Sequence, residues 1–248
     1  MLWKQFGLVK GQAFDSWRRV GPVLPAIKVY NQREVDELIL VDIEAQRTGA
    51  EPDFESIEDF GKDCFVPLTV GGGITRADQV QKLLRAGADK ISINSSSYIR
   101  PQLIDEIARL HGQQCIVASI DVRGDSANGW TCFSHAGTRK TDHRVSAWAK
   151  EMADRGAGEI LLTSIERDGT MKGYDLALVE HVASAVDIPV IASGGAGSYQ
   201  DMVMAVTQAG ASAVAAASIF HFTEQTPAGA KLALAAAGVP VRRSFVKF

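Results

Sequence analysis

Val66-Pro67-Leu68-Thr69-Val70-Gly71-Gly72-Gly73 is an apolar run that stops at three glycines, and it returns as Ile188-Pro189-Val190-Ile191-Ala192-Ser193-Gly194-Gly195. Pro67 and Pro189 stand 122 residues apart, and the echo extends outward at that spacing. Glu37-Leu38-Ile39-Leu40-Val41-Asp42-Ile43-Glu44 returns as Glu159-Ile160-Leu161-Leu162-Thr163-Ser164-Ile165-Glu166. Ala86-Gly87-Ala88-Asp89-Lys90 returns one residue later as Ala209-Gly210-Ala211-Ser212-Ala213. A repeat of half the chain, each copy built of strand–helix units, predicts an α/β fold. The form expected is a (β/α)8 barrel of two half-barrel repeats with two matching anion sites.

Short runs rich in Val, Ile and Leu alternate with longer stretches of helical periodicity, the pattern of parallel strands buried on both faces. This places strands near Leu38–Asp42, Val66–Val70, Lys90–Asn94, Ile116–Asp121, Glu159–Thr163, Pro189–Ala192 and Ala213–Ala217. Helices are predicted over Leu24–Gln32, Phe54–Lys62, Arg76–Ala86, Pro101–Leu110, Val145–Arg155, Leu176–Val186, Tyr199–Gln208 and Pro227–Ala236. Gly87 and Gly210 follow helix ends, where a positive φ is wanted. Arg123–Arg144 is long and polar for a connection, with Trp130 and Phe133 spaced as in a small hairpin. The repeat also demands a partner in the first half for Ile116–Asp121, and the mate of Asp121 falls at Leu2. Either the chain is shortened at its start, the reading favoured by the sequence, or Met1–Gln5 forms a stub strand.

The 248 residues, 46% hydrophobic and 22% charged, suit a single barrel domain over 1–248. A net charge of −3 leaves no basic excess for a nucleic acid or an acidic membrane, so any anion must be caught locally. Cys64, Cys115 and Cys132 are odd in number and show no zinc spacing, and with no signal peptide or bilayer-length apolar run the chain reads as a reduced cytoplasmic protein. They read as core residues. Asn94-Ser95-Ser96 matches a glycosylation pattern that means little in that setting.

In a (β/α)8 barrel the C-terminal ends of the strands carry the chemistry, and glycines there let backbone N–H groups approach a phosphate. Gly72 and Gly73 follow one strand and Asn94-Ser95 ends the next; Gly194 and Gly195 follow a later strand and Ala217-Ser218 ends its neighbour. Two sites on one mouth fit a substrate with a phosphate at each end, whereas tight turning alone would explain either glycine pair singly. Asp121 closes its strand and is the candidate general acid or base, with pairing to Arg123 as the structural alternative. Asp42 is similarly placed, to position a hydroxyl or a lysine. Asp168, in a loop that reads as mobile, is a candidate second carboxylate or a cap on the following turn. Glu37, Lys90 and Glu159 gather at the opposite, N-terminal end of the barrel, either as a stabilising ion plug or as a gate to the interior. His111 and His181 fall on helices and His135 and His143 in the long loop. His221 is placed where it would face the second anion site.

These segments resemble the cyclase subunit of imidazole glycerol phosphate synthase, from histidine biosynthesis. The likeness runs from about Gly7 to Arg243 and rests on Gly7-Leu8-Val9-Lys10, Val35-Asp36-Glu37-Leu38, Thr69-Val70-Gly71-Gly72-Gly73-Ile74, Gly87-Ala88-Asp89-Lys90, Ile120-Asp121, Gly156 through Ile165, Arg167-Asp168-Gly169-Thr170, Ala192 through Gly197 and Ser218 through Phe222. The resemblance implies a barrel that takes ammonia from a glutaminase docked on its lower face. With it the barrel converts a bis-phosphorylated formimino aminoimidazole carboxamide ribonucleotide to imidazole glycerol phosphate and aminoimidazole carboxamide ribotide, without a cofactor. It makes Asp121 one of two catalytic aspartates. Lys10 and Asp42 match the family's substrate-site positions; with Thr163, Asp168 and Gly169 they join the two phosphate corners, Gly72, Gly73, Asn94 and Ser95 and Gly194, Gly195, Ala217 and Ser218, as the expected substrate and phosphate contacts. Glu37, Lys90 and Glu159 match the ammonia gate, and Asp89 and Gln114 the glutaminase-facing edge.

The departures fall in one place. The position of the other catalytic aspartate is Leu2, which cannot carry a proton, and the gate's arginine would lie before Met1. The stretch from Glu44 to Phe54 is closer to a branch found in surface-polysaccharide gene clusters. Two functions therefore follow from the sequence: a cyclase, or a non-cyclising barrel that channels glutaminase-derived ammonia to a sugar-modifying amidotransferase.

Overall fold

The structure, a computed structural model, describes residues 1–4 and 7–243. Among these residues twelve strands form one sheet: β1 (Leu2–Lys4), β2 (Gly7–Gln12), β3 (Asp15–Gly21), β4 (Leu38–Asp42), β5 (Leu68–Gly71), β6 (Lys90–Ile93), β7 (Ile116–Asp125), β8 (Gly129–Ser134), β9 (Arg139–Arg144), β10 (Glu159–Ser164), β11 (Val190–Ser193) and β12 (Ala213–Ala215). Eight of them, β1, β4, β5, β6, β7, β10, β11 and β12, pair in parallel in that order, and the fold is a (β/α)8 barrel.

The alternation along each strand explains the two cores. On β4, Leu38 and Leu40 join the large cluster under the helices while Ile39 points to the axis. On β7 the outward set is Ile116, Ala118, Ile120 and Val122, with Val117 inward; β10 divides Ile160 and Leu162 from Leu161 in the same way. Side chains of period two thus fill a wide outer layer, and a small inner cluster of Val117, Leu161 and Ile191, with Ile39 and Ala215 against it, closes the middle of the barrel.

The repeat is visible down to the helix caps. Asp53 begins the helix Phe54–Lys62 by accepting the Ser56 amide, and Asp175, 122 residues on, begins Leu176–Ala183 by accepting the Leu178 amide. Gln79 accepts the amides of Thr75 and Arg76 at the start of Ala77–Arg85, and Asp201 accepts those of Gly197 and Ser198 at the start of Tyr199–Thr207.

The eight expected helices form with ends shifted by no more than three residues. Gly87 and Gly210 hold φ of 103° and 73° as their helix-end positions require. The sequence misses two short helices, Ala45–Thr48 and Ser95–Ile99, and the β2–β3 pair; the short segment after Ser218 is the helix Ser218–Phe222, and β8 and β9 form the hairpin foreseen in Arg123–Arg144. Of the two readings of the chain's start, the structure shows the stub strand. Leu2–Lys4 makes the stub, because Val41 and Ile43 donate their amides to Met1 and Trp3 carbonyls and Trp3 is buried edge-on against Phe60. Its other edge is taken by β2. Side chains span the seam toward β12: Lys231, from the helix Pro227–Ala236, reaches the Glu34 carbonyl at 2.6 Å and Asp36 at 2.7 Å, and Arg18 of β3 stacks on Phe222.

Candidate active site

Each half of the barrel builds the same corner at the C-terminal ends of its strands. After β5 the chain turns through Gly72 and Gly73 with φ of 106° and 70°; after β11 it turns through Gly194 and Gly195 with φ of 89° and 111°. Side chains are excluded there by space as well as by φ, since a Cβ on Gly72 would sit 2.3 Å from the Asp42 carbonyl and one on Gly195 2.2 Å from that of Gly173. Beside the first pair, Asn94 leads into Ser95–Ile99; beside the second, Ala217 leads into Ser218–Phe222. The corners differ in one respect. The Ser95 hydroxyl accepts the His135 amide at 2.9 Å, whereas the buried Ser218 hydroxyl has no hydrogen-bond partner among the described residues.

All fourteen positions expected to touch substrate line one cavity at this mouth: Lys10, Asp42, Gly72, Gly73, Asn94, Ser95, Asp121, Thr163, Asp168, Gly169, Gly194, Gly195, Ala217 and Ser218. Asp121, 9% exposed, accepts a hydrogen bond from Asn94 Nδ2 at 3.1 Å, and the same nitrogen holds the Ser119 carbonyl at 3.0 Å. Burial, reinforced by the charge of Asp168, pushes the Asp121 carboxyl up to about 7. The pairing with Arg123 that the sequence allowed does not form; Arg123 lies over the Phe133 ring instead.

Asp168 is not a turn cap, and its loop is pinned. Its two oxygens take Lys10 Nζ at 2.6 and 2.8 Å, with Lys10 6% and Asp168 7% exposed. The Asp168 carbonyl accepts the Ala13 amide at 2.8 Å, and Gly169 lies so close to β2 that a Cβ there would meet the Gly11 carbonyl at 2.0 Å. Asp42 also shapes the chain: its Oδ1 accepts the amides of Glu44 and Ala45, which turns it after β4. His221 does not line the cavity. It packs edge-on against Tyr30, 3.4 Å from its hydroxyl, and burial drives its pKa down to about 4.

The cavity also takes Leu2 from β1, Phe14 and Trp17 from the β2–β3 hairpin, and Ala136 from the turn between β8 and β9. Sequence reasoning reached only Leu2 of these. The hairpin is short on apolar alternation, so the one signal for it was the aromatic pair itself.

At the lower end Lys90 Nζ lies 2.9 Å from Glu37 and 2.7 Å from Glu159, which unites the three expected charges. Burial opposes the Lys90 charge, but the hydrogen bonds that it donates to Glu159 and Glu37 outweigh it and raise its pKa. Asp89, exposed on this rim, accepts the Leu68 amide at 2.8 Å, and exposed Gln114 donates to the His111 carbonyl at 3.1 Å. Phe65, on the same rim, is 80% exposed. No helix of the described residues is long and apolar enough to cross a membrane.

The family model described as "Histidine biosynthesis protein" matches residues 4–226. The chain is 48% identical over 236 residues to imidazole glycerol phosphate synthase subunit HisF of Hyphomonas neptunium (strain ATCC 15444), covering 94% of this chain and 92% of that protein.

Proposed function

The chain belongs to the histidine biosynthesis protein family, and on that footing we propose that it is the cyclase subunit of an imidazole glycerol phosphate synthase. Ammonia adds to the ribulosyl ketone of a bis-phosphorylated formimino ribonucleotide, and cyclisation then splits the molecule into imidazole glycerol phosphate and aminoimidazole carboxamide ribotide. The observation that carries the proposal is that a buried carboxyl group, Asp121, shares one cavity with two glycine corners related by the repeat. One phosphate sits on Gly72, Gly73, Asn94 and Ser95 and the other on Gly194, Gly195, Ala217 and Ser218, where the free Ser218 hydroxyl supplies a donor. Lys10, Asp42, Thr163, Asp168 and Gly169 hold the span between them. With its pKa raised to about 7, Asp121 is divided between its acid and base forms at neutral pH, and the acid form hands its proton to the reacting oxygen. The chemistry needs no metal or organic cofactor.

In this reading the ammonia comes from a glutaminase subunit docked on the lower rim at Asp89 and Gln114, and it passes Glu37, Lys90 and Glu159. The setting is the cytoplasm, in keeping with three free thiols. A barrel that only conducts ammonia to a sugar-modifying enzyme is not favoured, since the 48% identical relative bears the synthase name along nearly its whole length. Expression in a histidine auxotroph lacking its own cyclase subunit, grown with abundant ammonium, tests the function. Growth without histidine is expected, and Asp121→Asn is expected to abolish it. No growth from cells that accumulate the folded chain would refute the cyclase.

A further inference from the structure

The cyclisation needs two groups that exchange protons with the substrate, and the wall of the cavity that β1 provides is Leu2. The ionisable side chains lining that cavity among the described residues are Lys10, Asp42, Asp121 and Asp168. Asp42 spends Oδ1 on two backbone amides that shape the turn after β4. Asp168 makes no such turn contact; its loop is fixed by its own carbonyl and by Gly169, and its carboxylate reaches into the cavity against Lys10. We infer that Asp168, clamped by Lys10, is the second catalytic residue of this chain, transferring protons opposite Asp121. The inference deepens the cyclase reading and rests on it.

The transfers balance. As the C–N bond forms, Asp121 gives its proton to the ketone oxygen and the Asp168 carboxylate takes one from the adding nitrogen. When water leaves, Asp168 returns its proton to the departing hydroxyl and Asp121 takes one from the nitrogen. The imine is formed, one water is released, and both side chains end as they began. The lysine fits this duty. Its ammonium donates to both oxygens at 2.6 and 2.8 Å, so it fixes the orientation of the carboxylate and compensates its charge in a buried place. A purely structural clamp between the β2–β3 hairpin and the loop after β10 would use the same contacts, so the test must separate the two.

The experiment compares wild type, Asp121→Asn and Asp168→Ala in ammonium-driven turnover of the formimino ribonucleotide, with and without added formate. Asp168→Ala is expected to lose on the order of 10²–10⁴-fold in kcat, the usual worth of a positioned acid or base, with KM little changed, and to recover turnover as formate fills the vacated space. If a lone buried lysine prevents folding, Asp168→Asn keeps an acceptor for Lys10 and is expected to show the same loss of kcat, without rescue because no space is vacated. A raised KM with kcat intact in either variant, or a loss that formate leaves untouched in folded Asp168→Ala, would overturn the assignment while leaving the cyclase reading in place. A wild type that turns over nothing would overturn both.

Discussion

At the scale of the residue, the Asp121 carboxyl carries the most testable physics. In water it would ionise near 3.8; in the fold its proton stays on to about 7, because it is buried and feels the charge of Asp168. A raised folded-state pKa means that the folded protein binds this proton more tightly than the unfolded chain. The resulting stabilisation is complete below about pH 4, declines as pH rises, and is gone above about 7. At ~1.4 kcal/mol per unit the swing has an upper bound of roughly 4 kcal/mol. Asp121→Asn, which lacks the titration, should therefore melt above wild type at pH 8, and its advantage should shrink between pH 7 and 4; differential scanning calorimetry at several pH values checks this. Asn94, the neutral donor to Asp121, keeps its contact in either state. At the glycine corners, Gly194→Ala should weaken binding of a bis-phosphorylated ligand and destabilise the fold by more than about 1 kcal/mol. Its Cβ would require φ of 89° and a 2.7 Å approach to the Ser164 carbonyl. Unchanged calorimetric affinity and melting would remove that corner from the phosphate proposal. Asp121 and the glycines were legible because strand alternation and strand ends fix where they point. The partners of Asp42 and His221 were not, since a two-residue turn and a Tyr30 contact 191 residues away leave no periodic trace.

At the scale of the element, the lower triad and the hairpin make opposite cases. Glu37, Lys90 and Glu159 begin β6 and β10 or stand just before β4, so parallel pairing alone brings them to one rim, and their meeting follows from strand starts in the sequence. Lys90→Ala should leave ammonium-driven turnover near wild type and change glutamine-driven turnover in the presence of the glutaminase. Equal effects on both would reduce the triad to a plug. The β2–β3 hairpin shows the limit of such reading. Asp15–Gly21 is largely exposed and without alternation, and it is held by tertiary contacts: Arg18 on Phe222, the Ala13 amide on Asp168, and Trp17 at the cavity wall. Ala13, Phe14 and Ser16 all sit at positive φ in its turn, a conformation that composition gives no reason to expect.

At the scale of the whole molecule, the repeat explains why one mouth carries two like corners and why chemistry falls between them. The 122-residue spacing is enough to infer the barrel, since a half-barrel cannot bury both faces of its strands alone. What the repeat leaves open is the seam, where β1 is three residues long and Lys231 joins the last helix to the loop before β4. Lys231, 8% exposed, satisfies a carbonyl and a carboxylate there, so Lys231→Met should cost roughly 1–3 kcal/mol in urea unfolding with the slope unchanged. No loss would mean that the barrel is closed by packing alone. The central claim is that this barrel cyclises, and the most direct measurement is incubation of the purified chain with the bis-phosphorylated formimino ribonucleotide and saturating ammonium, with no partner present. Imidazole glycerol phosphate and aminoimidazole carboxamide ribotide appearing in equal amounts is the predicted result; a folded chain that binds the substrate and returns it unchanged would contradict the account.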